Sequence, residues 1–151
     1  MFTVEIINLT KQKAPLSTLR AATLFAAKRW RLRGELSVVL AGDRRLQSLN
    51  RDFRQLDKVT DVLSFAAPIG AEGALGEIFI NLSDCRRPFK YREVLAARPT
   101  FNYLLLFLLL HGLLHLAGYD DVLEVDRRAM VIKGEKMMKE LIKNGIIKEK
   151  F

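Results

Sequence analysis

Histidine and cysteine are the scarce residues of this chain: two of the first and one of the second among 151. A single thiol, Cys85, cannot close an intramolecular disulfide, so a disulfide scaffold is excluded and nothing points to an oxidising compartment. With no second cysteine or further histidine to complete a zinc cluster, Cys85 reads as a plain thiol. Low-complexity segments, internal repeats and an uninterrupted basic tail are also missing. The first residues, MFTVEIINLT, carry Glu5 and lack a basic segment leading into an apolar run; no signal peptide is read, and cytoplasmic residence is expected. Long hydrophobic runs are absent too. The most apolar stretch begins at Leu104–Leu110 and ends at Ala117, short of the ~20 residues needed to cross a bilayer, and it contains both histidines. A membrane span is therefore excluded. A helix apolar on nearly all sides but too short to span is better placed at the buried centre of a domain.

Acidic residues are in deficit, 17 against 25 basic ones, for a formal charge of +8. The excess is spread along the chain, including Arg51, Arg54 and Lys58 and then Arg86, Arg87 and Lys90. Such a field favours phosphate-rich partners, although solvated helix faces account for many surface charges in any protein. Half of the residues are hydrophobic and the mean hydropathy is close to zero, which fits one compact domain over residues 1–151.

Phe2–Asn8, Glu35–Ala41, Val62–Phe65 and Glu77–Leu82 read as strands, the last two joined by a glycine-rich connection over Pro68–Gly76. Leu16–Arg31 reads as a helix opened by Pro15. Asp43 is a suitable N-cap for a short helix to about Phe53, and Ser83 for another to about Ala97. Thr100 caps the apolar helix that ends at Gly118, and Val122–Lys143 forms a last, charged helix. Strands and helices are mixed without strict alternation. The expected class is α+β: a small mixed sheet of about four strands covered by helices, with a central apolar helix carrying the histidines.

Both histidines fall in the segment running from His111 to Asp121. Residues four apart share one helix face, about 6 Å apart along the axis, so two imidazoles can converge on one ion as in H-E-x-x-H zinc proteases. Gly118 permits a left-handed turn after which the chain doubles back. A third ligand six residues beyond His115 falls on Asp121, the spacing of the metzincin proteases. Their general base follows the first histidine as glutamate, and here that residue is Gly112, which argues against peptide hydrolysis by that route. A lone histidine in a leucine-rich helix is ordinarily a core residue. Two of them with a glycine and a carboxylate at ligand spacing point instead to a divalent metal, zinc foremost.

The same segment resembles the signature of the YbeY family of bacterial rRNA-maturation endoribonucleases, H-G-x-L-H-L-x-G-Y-D-H, with agreement from His111 to Asp120 at every specified position. Asn50 to Phe65 is similar to the family block N-x-x-Y/F-R-x-x-D-x-x-T-D-V-L-S-F, and Leu75-Gly76-Glu77-Ile78 to its L-G-D-I strand. The family's third ligand is a histidine where this chain has Asp121. A carboxylate also ligates zinc, and two histidines with one carboxylate suit iron or manganese as well.

The resemblance implies metal-assisted cleavage of single-stranded RNA, maturation of the 16S rRNA 3′ end, and ribosomal proteins or a ribosomal subunit as partners. It nominates Arg54, the arginine of the family block, as a catalytic cation for the phosphoryl group, against a surface salt bridge to Asp57. Thr60, Asp61 and Ser64 are expected to order the loop near the metal, with turn-holding as the other role for Asp61. Glu77 is a candidate second partner for a ligating histidine. Tyr119 and Asp120 are assigned structural roles. Phe53, Trp30 and Tyr103 are placed in the core before base stacking. Two other functions remain open: a non-catalytic ribosome-assembly factor with a structural metal, and a metallohydrolase of another substrate, against which Gly112 argues where that substrate is a peptide.

Overall fold

The computed structural model describes residues 1–95 and 99–151. Four strands, β1 (Phe2–Asn8), β2 (Gly34–Ala41), β3 (Val62–Ala66) and β4 (Ala74–Asn81), form one sheet in the order β1-β2-β4-β3. β1 and β4 run parallel to β2 on either side of it, and β3 pairs antiparallel with β4. The parallel pairs require crossovers, supplied by helix α1 (Leu16–Arg29) between β1 and β2 and by the longer excursion through helix α2 (Asp43–Arg54) and β3 before β4. Helices α3 (Phe101–Leu116) and α4 (Glu124–Lys143) complete the domain, which is the α+β arrangement expected.

Alternation along the strands divides the core into two. Val4, Leu36, Val38, Leu40, Ile78 and Ile80 face the main cluster with α1 and α3, while Leu63, Phe65 and Phe79 face α2 through Leu46 and Leu49. α3 runs through the middle of the larger cluster, and Leu104–Leu110 are all buried. That explains its uniform leucine content: α3 packs on the sheet, on α1 and on α4, leaving little of its circumference for water. None of the described helices is long and apolar enough to cross a membrane. Thr100 Oγ1 accepts from the Tyr103 amide at 3.0 Å and caps α3 as expected. At the other end Gly118 has φ +103°, with bonds from Gly118 N to His115 O and from Tyr119 N to Leu114 O. This paired pattern is a Schellman stop, and it turns the chain back across the end of α3.

Several boundaries differ from the sequence reading. α1 ends at Arg29, because Arg31 takes a left-handed conformation at φ 57°. Gly42, not Asp43, is the N-cap of α2. The Asp43 carboxylate accepts instead from Asn81 Nδ2 and Arg87 Nη2, tying the start of α2 to the segment after β4. The helix expected from Ser83 is replaced by two short 3-10 turns, Asp84–Arg86 and Pro88–Tyr91; its expected end near Ala97 lies outside the described residues. Pro88 lacks the amide a continuous helix needs, and buried Asp84 draws Arg87 and Lys90 onto its carboxylate. α4 begins at Glu124 rather than Val122.

Burial would raise the pKa of Asp43, but the bonds from Asn81 and Arg87 and the charges of Arg87 and Lys90 outweigh it and hold the pKa below the usual carboxylate value. A depressed carboxylate contributes stability that is complete above the unfolded value, about 3.9, and is lost as pH falls through the folded one. Asp43→Asn should therefore lose less stability than the parent between pH 6 and pH 3, measured by urea unfolding at each pH; equal losses would remove Asp43 from the acid response.

Candidate metal centre

Helix α3 carries His111 and His115 on one face, and the Gly118 turn brings Asp121 back to them. Asp121 Oδ2 lies 3.2 Å from His111 Nε2 and 3.3 Å from His115 Nε2. One ligand atom from each of the three residues lies within 4.8 Å of the others. Two ligands each ~2.0–2.1 Å from zinc at a tetrahedral angle stand about 3.3 Å apart, so the spacing suits a shared ion. The orientation of His115 suits it as well. Its Nδ1 lies 3.1 Å from the Tyr119 carbonyl, so the ring proton sits on Nδ1 as donor and the Nε2 lone pair faces the centre. His111 Nδ1 is buried and has no hydrogen-bond partner among the described residues.

The charge states favour ligation. Burial lowers the pKa of His111, and this outweighs the opposing pull of Asp121, so at neutral pH the ring is uncharged with a lone pair to give. For Asp121, burial would raise the pKa, but hydrogen bonds and charge from the two histidines hold it below the usual carboxylate range. A neutral His111 imidazole beside an ionised Asp121 carboxylate supplies donors of the kind a divalent cation requires.

Gly112 sets where this face of α3 stands. A Cβ there would lie 2.8 Å from Ile78 Cγ2 and 2.9 Å from Ser64 Oγ, so only glycine lets the helix come this close to β3 and β4. Ser64 Oγ donates to the Gly112 carbonyl at 3.0 Å and fastens the contact.

The triad opens into a cleft of about 330 Å³. Arg54, the last residue of α2, lines it, with Nη2 3.4 Å from the Ser64 carbonyl. The alternative salt bridge to Asp57 is not formed; Asp57 accepts from Gln47. Asp61 lines the cleft too, yet its carboxylate is spent on the Val62 amide at 2.8 Å and the Tyr91 hydroxyl at 2.7 Å, which is the turn-holding role. The Thr60 carbonyl accepts from Asn81 Nδ2. Glu77 does not reach the histidines. Its neighbour Ile78 points at Gly112, so Glu77 points through the opposite sheet face, where it lines a separate cleft with Glu5 and Glu35. Asp120 accepts from the Val122 amide, and Tyr119 lies under the Lys133 ammonium. Trp30 and Tyr103 pack on the core, whereas Phe53 is largely exposed and meets Phe65 edge-on at 5.4 Å. Cys85 is buried and its thiol is pushed up to about 12, first by desolvation, which makes it inert.

A sequence profile described as Endoribonuclease YbeY matches residues 5–142. The chain belongs to the Endoribonuclease YbeY family. Endoribonuclease YbeY of Anaeromyxobacter dehalogenans is 42% identical over 118 residues, covering 76% of this chain and 58% of that protein. The YbeY of Endomicrobium trichonymphae is 29% identical over 136 residues, covering 90% of this chain and 91% of that one. A Thermotoga maritima protein solved in solution superposes with a TM-score of 0.64 at 29% identity, covering 94% of this chain and 91% of its own. Two further cleft residues lie outside the YbeY signature segments: Tyr91, which holds Asp61, and Arg127 of α4. Tyr91 precedes His111 by 20 residues and Arg127 follows Asp121 by 6, and the turns after β4 and the packing of α4 bring them to the cleft.

Gly112→Ala should push α3 off the sheet, lowering stability by about 1–3 kcal/mol, the usual range for overpacking. It should weaken divalent-metal binding as His111 moves with the helix. Thermal unfolding and metal titration read the two effects, and unchanged values in both would contradict the role given to this glycine.

Proposed function

We propose that this chain is a metal-dependent endoribonuclease that cuts single-stranded RNA, with His111, His115 and Asp121 holding one divalent ion and Arg54 as the catalytic cation. The observation that carries the reading is the convergence of both Nε2 atoms on one Asp121 oxygen beside an arginine-lined cleft. Zinc suits the site, and the carboxylate ligand leaves iron or manganese as further candidates. Residues 1–151 act as one metallohydrolase domain in the cytoplasm. The substrate is rRNA, including the 3′ end of 16S rRNA during maturation and ribosome quality control, met on the ribosomal subunit or with its proteins. The relatives' shared name, Endoribonuclease YbeY, supports RNA as the substrate class.

When bound, the ion supplies Lewis-acid activation of water and neutralises charge developing on the phosphoryl oxygens. The chain's own groups prepare that step. His115 keeps its proton on Nδ1 against the Tyr119 carbonyl, fixing the ring so that Nε2 stays a ligand. Burial keeps His111 neutral, and Asp121 supplies the one negative charge of the set. Arg54 spends one nitrogen on the Ser64 carbonyl, which orients the guanidinium while leaving its other donors for a phosphoryl oxygen. Ser64 therefore serves both parts, through its carbonyl to Arg54 and its hydroxyl to α3. A structural metal would take four protein ligands and no water. Among the described residues the cluster has three, which favours an open site.

Alanine at His111, His115 or Asp121 should abolish metal binding and lower cleavage of a single-stranded rRNA fragment by at least about 100-fold. Elemental analysis and a cleavage assay with and without chelator check both. Cleavage that survives metal removal would overturn the reading. Arg54→Ala should slow turnover about 100-fold, the loss typical of removing one transition-state donor, with metal content intact. A rate equal to the parent's would take Arg54 out of the mechanism.

A further inference from the structure

Besides Arg54 and Lys58, the cleft has a source of positive charge that lies outside every motif segment. α3 packs against β3 on one side and against α4 on another, and an arginine lines the cleft from each of these sides. Arg54 comes from the β3 side, through its bond to Ser64, and Arg127 comes from α4. Val131, one helical turn after Arg127, lines the same cleft, so this face of α4 is turned towards the metal centre.

Arg127 is exposed, and among the described residues no carboxylate lies within ion-pair distance of it. Its neighbour Arg128 is paired with Glu124 at 3.4 Å. Helix stability does not account for Arg127. It sits in the first turn or so of α4, where the helix macrodipole disfavours a cation and where Glu124 and Asp126 are the favourable charges. An unpaired guanidinium beside a centre that gathers a divalent cation, in a chain of net charge +8, is electrostatically unfavourable until an anion enters. A planar fork of donors that awaits an anion suits a phosphate.

We propose that Arg127 is a substrate-binding residue whose guanidinium takes a phosphate next to the scissile one, so that the RNA strand crosses the metal centre between Arg54 and Arg127. This rests on reading the centre as a nuclease site. The contact is sequence-independent, since every nucleotide offers the same phosphate.

The test uses protein as purified and a fluorescent single-stranded oligoribonucleotide. Anisotropy immediately after rapid mixing gives Kd across a salt series, and later time points give KM and kcat. Arg127→Ala should raise Kd and KM by about 3- to 10-fold and lower the slope of log Kd against log salt by about 0.7, the value for one phosphate contact on a single strand. Metal content and kcat should stay within about twofold of the parent, because one lost phosphate contact removes binding rather than transition-state stabilisation. Arg127→Lys should recover part of the affinity while Arg128→Ala, its paired neighbour, should change neither Kd nor slope. Identical losses in Arg127→Ala and Arg128→Ala, an unchanged slope, or loss of metal from Arg127→Ala would each overturn the assignment. Parent protein that binds the strand but never cuts it would refute the nuclease reading, with the Arg127 contact still decided by the binding arm. Parent protein that does not bind would refute both.

Discussion

The arrangement depends on how closely α3 can lie against β3 and β4. That approach is set by the missing side chain at Gly112 and fastened by the Ser64 hydroxyl on the Gly112 carbonyl. His111 is next to this contact and His115 one turn beyond, so their ring positions follow from the packing of a buried helix rather than from a mobile loop. Rigid support of this kind suits ligands that must converge within a few tenths of an ångström. The left-handed turn at Gly118 then returns Asp121 to both rings. The glycine that replaces a protease's glutamate thus has a positive role: any side chain there would separate the helix from its sheet.

Charge is divided between the two faces of the sheet. The face that carries α3 opens into a cleft with Arg54, Lys58 and Arg127 around the triad. The other face carries Glu5, Glu35 and Glu77 around a separate cleft. Asp61 and Asp121 also line that cleft, and its three cations outnumber them, which favours encounter with a polyanion. Buried Asp84 and partly buried Asp43 are neutralised locally by Arg87 and Lys90, with a hydrogen bond from Asn81 to Asp43, so they hold the segment after β4 without reducing that positive excess.

The parts of this design that depend on near neighbours in the chain were legible in the sequence. The four strands, the Thr100 cap, the Gly118 stop and the spacing of His111, His115 and Asp121 follow from local periodicity and backbone preference, and each is present in the structure. Parts that depend on distant contacts were not. Asp43 looked like a cap because its type and position fit one, but Arg87 and Asn81, remote in sequence, hold its carboxylate elsewhere. The segment after Ser83 has helical composition, yet Pro88 and the buried Asp84 break it into turns. Glu77 has a charge that suits a role at the histidines, but strand alternation sends it through the other face of the sheet. Arg127 carries no local signal, because one of two adjacent arginines on a helix that also bears four lysines is distinguished only by what α4 packs against.

The central claim is that three side chains converge on one cation while leaving it open to substrate. A crystal structure of the zinc-soaked protein with anomalous data at the zinc edge tests it most directly. The expected result is one peak bonded to His111 Nε2, His115 Nε2 and an Asp121 oxygen at ~2.0–2.2 Å, with a non-protein fourth ligand facing the Arg54 side of the cleft. A peak elsewhere, none at all, or a fourth protein ligand closing the site would contradict it.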